Sequence, residues 1–198
     1  MSQMTWCCPI GADTMKQHIR RTDLLWLFAY PFYQLIGTFR HEASHAVFAI
    51  LEGAAIKEFV FWPTVTNAGF RWGYARWSGD VSWVTTAAPY VCDLATFFIF
   101  FLICTRMHFR HHWVWVNLAA IGLISPIVNS VYNYIKGIIG GGDVAGLFGV
   151  LPNHVIHSYF VITLLIYAVG LFLALRPEVN STGKDSGCLK CRNLWEET

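Results

Sequence analysis

Long apolar stretches separated by short polar turns dominate the chain. One runs from near Leu24 through His45 to about Leu51, with Pro31 predicting a local bend, and three more cover roughly residues 81–105, 113–135 and 154–175. Each reaches the ~20 residues an α-helix needs to cross a bilayer core. The pattern predicts an all-α, polytopic membrane protein of about four transmembrane helices, integral and multi-pass. Residues 56–79 break it. Phe59-Val60-Phe61-Trp62 and Phe70-Arg71-Trp72-Gly73-Tyr74 are aromatic and β-prone, and Pro63 and Asn67-Ala68-Gly69 supply turns. They predict either a short β-hairpin or a re-entrant, interfacial aromatic loop. A hairpin there offers backbone for pairing with an extended peptide. The chain divides into a tail of residues 1–23, a membrane-embedded domain of 24–176 and a polar tail of 177–198.

Composition sharpens this picture. A chain of 198 residues suits one domain, and 55% hydrophobic against 13% charged residues departs from a soluble composition. Nine Trp and eight Tyr suit anchoring at a membrane interface. A net charge of +2 without a basic, aromatic-laced stripe excludes a nucleic-acid partner. Lys16, Arg20 and Arg21 precede a long apolar run with no small-residue cleavage site, which favours a retained span over a signal peptide. Cys92 and Cys104 fall in apolar spans and read as packing residues. Cys7-Cys8 and the Cys188/Cys191 pair sit in opposite tails, where one isolated CxxC is weak evidence for a metal or redox site.

The chemistry concentrates in His41-Glu42-Ala43-Ser44-His45. On a helix His41 and His45 share a face one turn apart, so two imidazoles can hold a zinc ion while Glu42 handles water. Such a cluster is costly in lipid unless it faces a protected polar cavity. Two histidines leave zinc short of a third protein ligand. Asp143 is the candidate, being the sole acid between Asp93 and Glu178, inside the bent Gly140-Gly141-Gly142 loop. The competing role is to cap a short helix over residues 144–148. The glycines are no nucleotide loop, because the Walker Lys-Ser/Thr ending is absent. Arg40 either supports the site electrostatically or snorkels to the interface. Asp93 either orients a zinc-binding histidine or stabilises the bundle. Asn129 and Asn133, one turn apart, suit contact with a substrate backbone or hydrogen bonds between helices.

With these residues in view, residues 24–151 resemble the site-2 protease (M50) family of intramembrane zinc metalloproteases. The HExxH segment carries the likeness, helped by the small and apolar run of residues 46–53 ending in Gly53 and by Ala87-Ala88-Pro89. The resemblance implies zinc held by His41, His45 and Asp143, a catalytic Glu42, a role near the site for Asn129 or Asn133, and a transmembrane protein or membrane-associated peptide as substrate. One departure is plain: the family's asparagine–proline motif ending Leu-Asp-Gly is replaced by Gly142-Asp143-Val144. There is no inserted PDZ domain to select substrates.

Two rival functions remain. His41/His45, His108/His111/His112 and His154/His157 are spaced like the histidine boxes of di-iron membrane desaturases and hydroxylases. With four crossings the middle box falls at the opposite membrane face, and a ~20-residue helix separates its ends by ~30 Å, too far for one di-iron cluster. The other rival is a noncatalytic membrane scaffold retaining the motif. Orientation is pulled both ways: the basic residues place the face bearing Arg106 and Arg110 in the cytosol, whereas the family resemblance places the 53–80 loop there.

Overall fold

The computed structural model describes residue 23, residues 28–66 and residues 69–176. Both tails, with Cys7, Cys8, Cys188 and Cys191, therefore lie outside the described residues, except for Asp23. The molecule is mostly helical, with six α-helices and two small antiparallel sheets among these residues. Three helices are long and apolar enough to cross a membrane: α2 (Trp83–Arg106), the continuous helix His112–Ile138, and α6 (Asn153–Leu175). The protein is an integral, multi-pass membrane protein. The expected first span is α1 (Tyr30–Leu51), which carries Arg40, His41, Glu42 and His45 and is not one of these three.

Pro31 does not bend α1. It sits in the first helical turn, where its missing N–H has no intrahelical partner to lose and its fixed φ suits the helix. Pro89, by contrast, lies inside α2 and is buried. The helix 112–138 consists of α3 (His112–Ala119), a π-helical turn (Ala120–Ile124) and α4 (Ser125–Ile138), with Pro126 in the first turn of α4.

Between α1 and α2 the chain forms nested antiparallel ladders. β1 (Ala55–Val60) pairs with β4 (Tyr74–Ser78), running from Ala55 opposite Ser78 to Val60 opposite Tyr74, with an irregularity between Ile56 and Glu58. Inside that connection β2 (Thr64–Thr66) pairs with β3 (Gly69–Arg71). The aromatic segment is thus a hairpin. Phe39 of α1 meets Phe59 and Phe61 edge to face at 5.9 and 5.4 Å, pinning the hairpin to the helix. Gly73 lets it lie close: a Cβ there would come within 2.6 Å of Thr38 Cγ2 and 2.7 Å of the Val60 carbonyl.

The core has two parts. Phe97, Cys104, Trp115, Val116, Leu123 and Tyr167 fill the end of the bundle away from the hairpin. Tyr90, Val144, Leu147, Ile156 and Phe160 fill the other end, where the short helix α5 (Gly142–Phe148) packs against α2, α4 and α6. Small residues let the helices approach: Gly37 faces Ser125, and Gly137 faces Val144.

Candidate metal centre

His41 and His45 leave the same face of α1, where both are buried. The tight turn after α4, with Gly140 and Gly142 at positive φ, returns the chain so that α5 delivers Asp143 to them. Asp143 Oδ2 lies 3.1 Å from His41 Nε2 and 3.2 Å from His45 Nε2. The possible ligand atoms of all three residues fall within 4.8 Å of one another, and no other group of three or more such residues gathers among the described residues. Asp143 also stands in the first turn of α5, so it serves that helix's dipole as well.

The surroundings fix the two rings differently. His45 Nδ1 lies 2.8 Å from the carbonyl of Thr85, which obliges Nδ1 to carry a proton and donate it. That carbonyl is available because its intrahelical partner would be residue 89, and Pro89 has no N–H. A second proline does the same for Arg40. In the π-helical turn Ser125 N–H reaches back five residues to the Ala120 carbonyl; continued by one residue, Pro126 would serve Ile121 and cannot. Arg40 Nη1 takes that carbonyl at 3.4 Å. Two prolines thus leave carbonyls on α1's neighbours, and polar side chains of α1 occupy both.

Arg40 Nε also donates to Asp93 Oδ1 at 2.7 Å, and Asp93 is fully buried. Asn129 Nδ2 donates to the other oxygen of Asp93 and lies 3.1 Å from His41 Nδ1. Asn133 Nδ2 holds Asn129 through its side-chain oxygen and its carbonyl, each at 2.9 Å. Half-buried Arg40 and buried Asp93, Asn129 and His41 form one chain, and Tyr90 backs the His41 ring edge to face at 5.7 Å. Breaking a buried ion pair of this kind typically costs about 3–5 kcal/mol.

On the open side, a groove of about 380 Å³ runs between α1, the β3–β4 part of the hairpin and α4. His41, Glu42, His45 and Asp143 form its floor, with Asn129 and Asn133 on the α4 wall. Glu42 is buried, and the backbone of Ala75 in β4 hydrogen-bonds its carboxylate. Trp77 covers His45 with ring centroids 6.0 Å apart.

The remaining histidines go elsewhere. His112 Nε2 pairs with Asp23 at 2.8 Å and its ring stacks on Trp115, while Tyr134 Oη and His157 Nδ1 lie 2.8 Å apart. The three histidine boxes are not brought together. Trp77 and Lys136 carry no signal in the sequence, and Gly73 stands there only as part of the aromatic run 70–74; Thr85 does leave one, four residues before a proline inside an apolar helix.

In comparisons with known proteins, no family model matches the chain, and no curated protein or solved structure matches it.

Proposed function

We propose that the protein is a zinc-dependent intramembrane endopeptidase of the site-2 protease (M50) type, hydrolysing peptide bonds of membrane-protein substrates. Most of the support comes from His45. Its Nδ1 proton is committed to the Thr85 carbonyl, so a neutral ring turns the lone pair of Nε2 toward the Asp143 carboxylate 3.2 Å away. Two acceptors do not face each other stably; a proton or a metal ion between them resolves the conflict, and His41 Nε2 facing the same carboxylate oxygen at 3.1 Å suits one shared metal ion. Two imidazole nitrogens and one carboxylate oxygen are a donor set that zinc favours in catalytic sites. His41, His45 and Asp143 would hold the zinc, which when bound would supply Lewis acidity toward water and the scissile carbonyl.

The chain's own residues do the rest. Glu42, on the same groove floor, takes a proton from the attacking water and passes it to the departing amide nitrogen. Asp93 and Asn129 orient His41, and the Thr85 carbonyl orients His45. The hairpin provides β3 and β4 beside the groove, where an extended substrate backbone adds as a further strand. In this reading α1 is a fourth membrane-embedded helix, its polar face closed off by α2, α4 and the hairpin.

The test uses purified full-length protein in lipid nanodiscs, with metal content measured alongside cleavage of a synthetic transmembrane peptide. One zinc per chain and cleavage are expected. Glu42→Gln is expected to slow cleavage by about 10²–10⁴-fold, the usual worth of a general base, with zinc retained. Unchanged cleavage in that variant rejects Glu42 as the base. Zinc with no cleavage of any peptide points to the scaffold function, and two irons to an oxygenase.

A further inference from the structure

The groove's acids are Glu42 and Asp143, both beside the histidines, and a divalent ion held by His41, His45 and Asp143 would offset both and leave the groove net positive. Two cations also line it, Lys136 from α4 and Arg71 from β3, and neither enters an ion pair among the described residues. Lys136 is half-buried and has a built seat. Its stem crosses the backbone just before Asp143, so that a Cβ on Gly141 would come within 3.3 Å of Lys136 Cγ and one on Gly142 within 3.4 Å of Cδ. Its ammonium lies 5.5 Å from the centre of the Tyr132 ring. The dipole of α4 favours a cation in its last turn, but it does not require a glycine saddle and an aromatic platform that seat the side chain in the lining of the groove.

We propose that Lys136, assisted by the exposed Arg71, is a carboxylate-recognition subsite that selects substrates carrying an acidic side chain or chain terminus close to the bond that is cut. This rests on the peptidase reading for its biological meaning, though the binding it asserts does not need turnover. A cation seated by its stem, with no acidic partner among the described residues, gains a charge-assisted hydrogen bond when a carboxylate arrives.

The experiment measures binding to the Glu42→Gln protein in phosphatidylcholine nanodiscs. The probes are Leu/Ala-rich transmembrane peptides with a Gly-Ser break, made in Glu/Gln pairs at successive positions around the break and amidated at the C-terminus. A further pair differs only in a free or amidated terminus. At one register the Glu peptide is expected to bind about tenfold more tightly than its Gln partner, the size of one charge-assisted contact. Lys136→Met, which keeps the stem over Gly141, should equalise the pair, and Lys136→Glu should transfer the preference to a Lys-bearing peptide. Zinc content checks that both variants are folded. A preference that follows only the free terminus identifies chain ends as the carboxylate source. Equal affinities at every position, absence of binding included, overturn the subsite. So does a Lys136 effect seen only with phosphatidylglycerol present, which would assign the cation to a lipid headgroup. Acid-selective binding without cleavage in the wild type keeps the subsite and rejects the peptidase; cleavage without acid preference does the reverse.

Discussion

In its first half, α2 presents Thr85, Pro89 and Asp93 to α1 and α4; in its second half it presents Phe97, Phe101 and Cys104 to α3 and α6. The polar half works by pairing. Asp93 accepts from Arg40 and Asn129, and the Thr85 carbonyl accepts from His45, so each of these buried groups fixes the direction of another. The apolar half works by volume. Phe97 meets Tyr167 with ring centroids 4.6 Å apart and lies so close to Gly170 that a Cβ there would sit 2.7 Å from its ring. Volume can be filled in several ways, whereas a hydrogen-bonded chain ending on His41, a residue of the candidate metal centre, tolerates one geometry. One helix can carry both because lipid asks only that its outer surface stay apolar, as Phe98, Ile99 and Leu102 are.

Substitutions in the two halves should separate. The largest effect is expected from Asp143→Ala, which removes the carboxylate of the proposed zinc site; zinc affinity should fall by more than the ~10–100-fold that loss of an outer-shell partner costs. Zinc titration of the purified variant checks this, and unchanged affinity removes Asp143 from the ligand set. Phe97→Ala should do the opposite: a loss of about 3–5 kcal/mol in stability, read by denaturant titration in mixed micelles, with zinc affinity of the folded fraction unchanged. If affinity falls in step with stability, the halves are not independent.

Pro89→Ala sharpens the comparison from within the polar half. It returns an N–H to the helix ladder, where it competes for the Thr85 carbonyl. Helix stability should rise while zinc affinity drops about two- to tenfold, the equivalent of one neutral hydrogen bond. An unchanged affinity would mean that the carbonyl serves both donors. The smallest effect lies at the hairpin's hinge. Glu52 accepts from the hydroxyl and backbone N–H of Ser82, and these bonds hold its carboxyl below the usual value of 4.5. A lowered folded value means that its contribution is present above pH 4.5 and fades as pH falls through the folded value. Protease nicking of the hairpin should therefore increase below about pH 4.5, slightly, and Glu52→Gln should remove that dependence.

Much of this architecture was legible in the residues. Predicted spans at 81–105, 113–135 and 154–175 fall on helices Trp83–Arg106, His112–Ile138 and Asn153–Leu175, because continuous apolar runs of that length leave the backbone little alternative. The aromatic runs around Phe59 and Phe70 became paired strands, since β-prone residues flanking a turn carry their own register. Pro31 reads as a bend inside a longer apolar run, whereas it falls in the first turn of α1, and a proline's effect depends on where the helix begins.

By itself the sequence determined the three apolar helices, the hairpin and the shared face of His41 and His45, all of which follow from local composition and a 3.6-residue period. Only the tertiary structure decided that Asp143 meets both histidines, that Asn129 and Asp93 stand behind His41, and that Lys136 borders the groove. Those contacts join residues up to 102 positions apart. They depend on how each helix is rotated about its axis, which hydropathy leaves open and which close approaches at glycine, together with the carbonyls released by Pro89 and Pro126, fix.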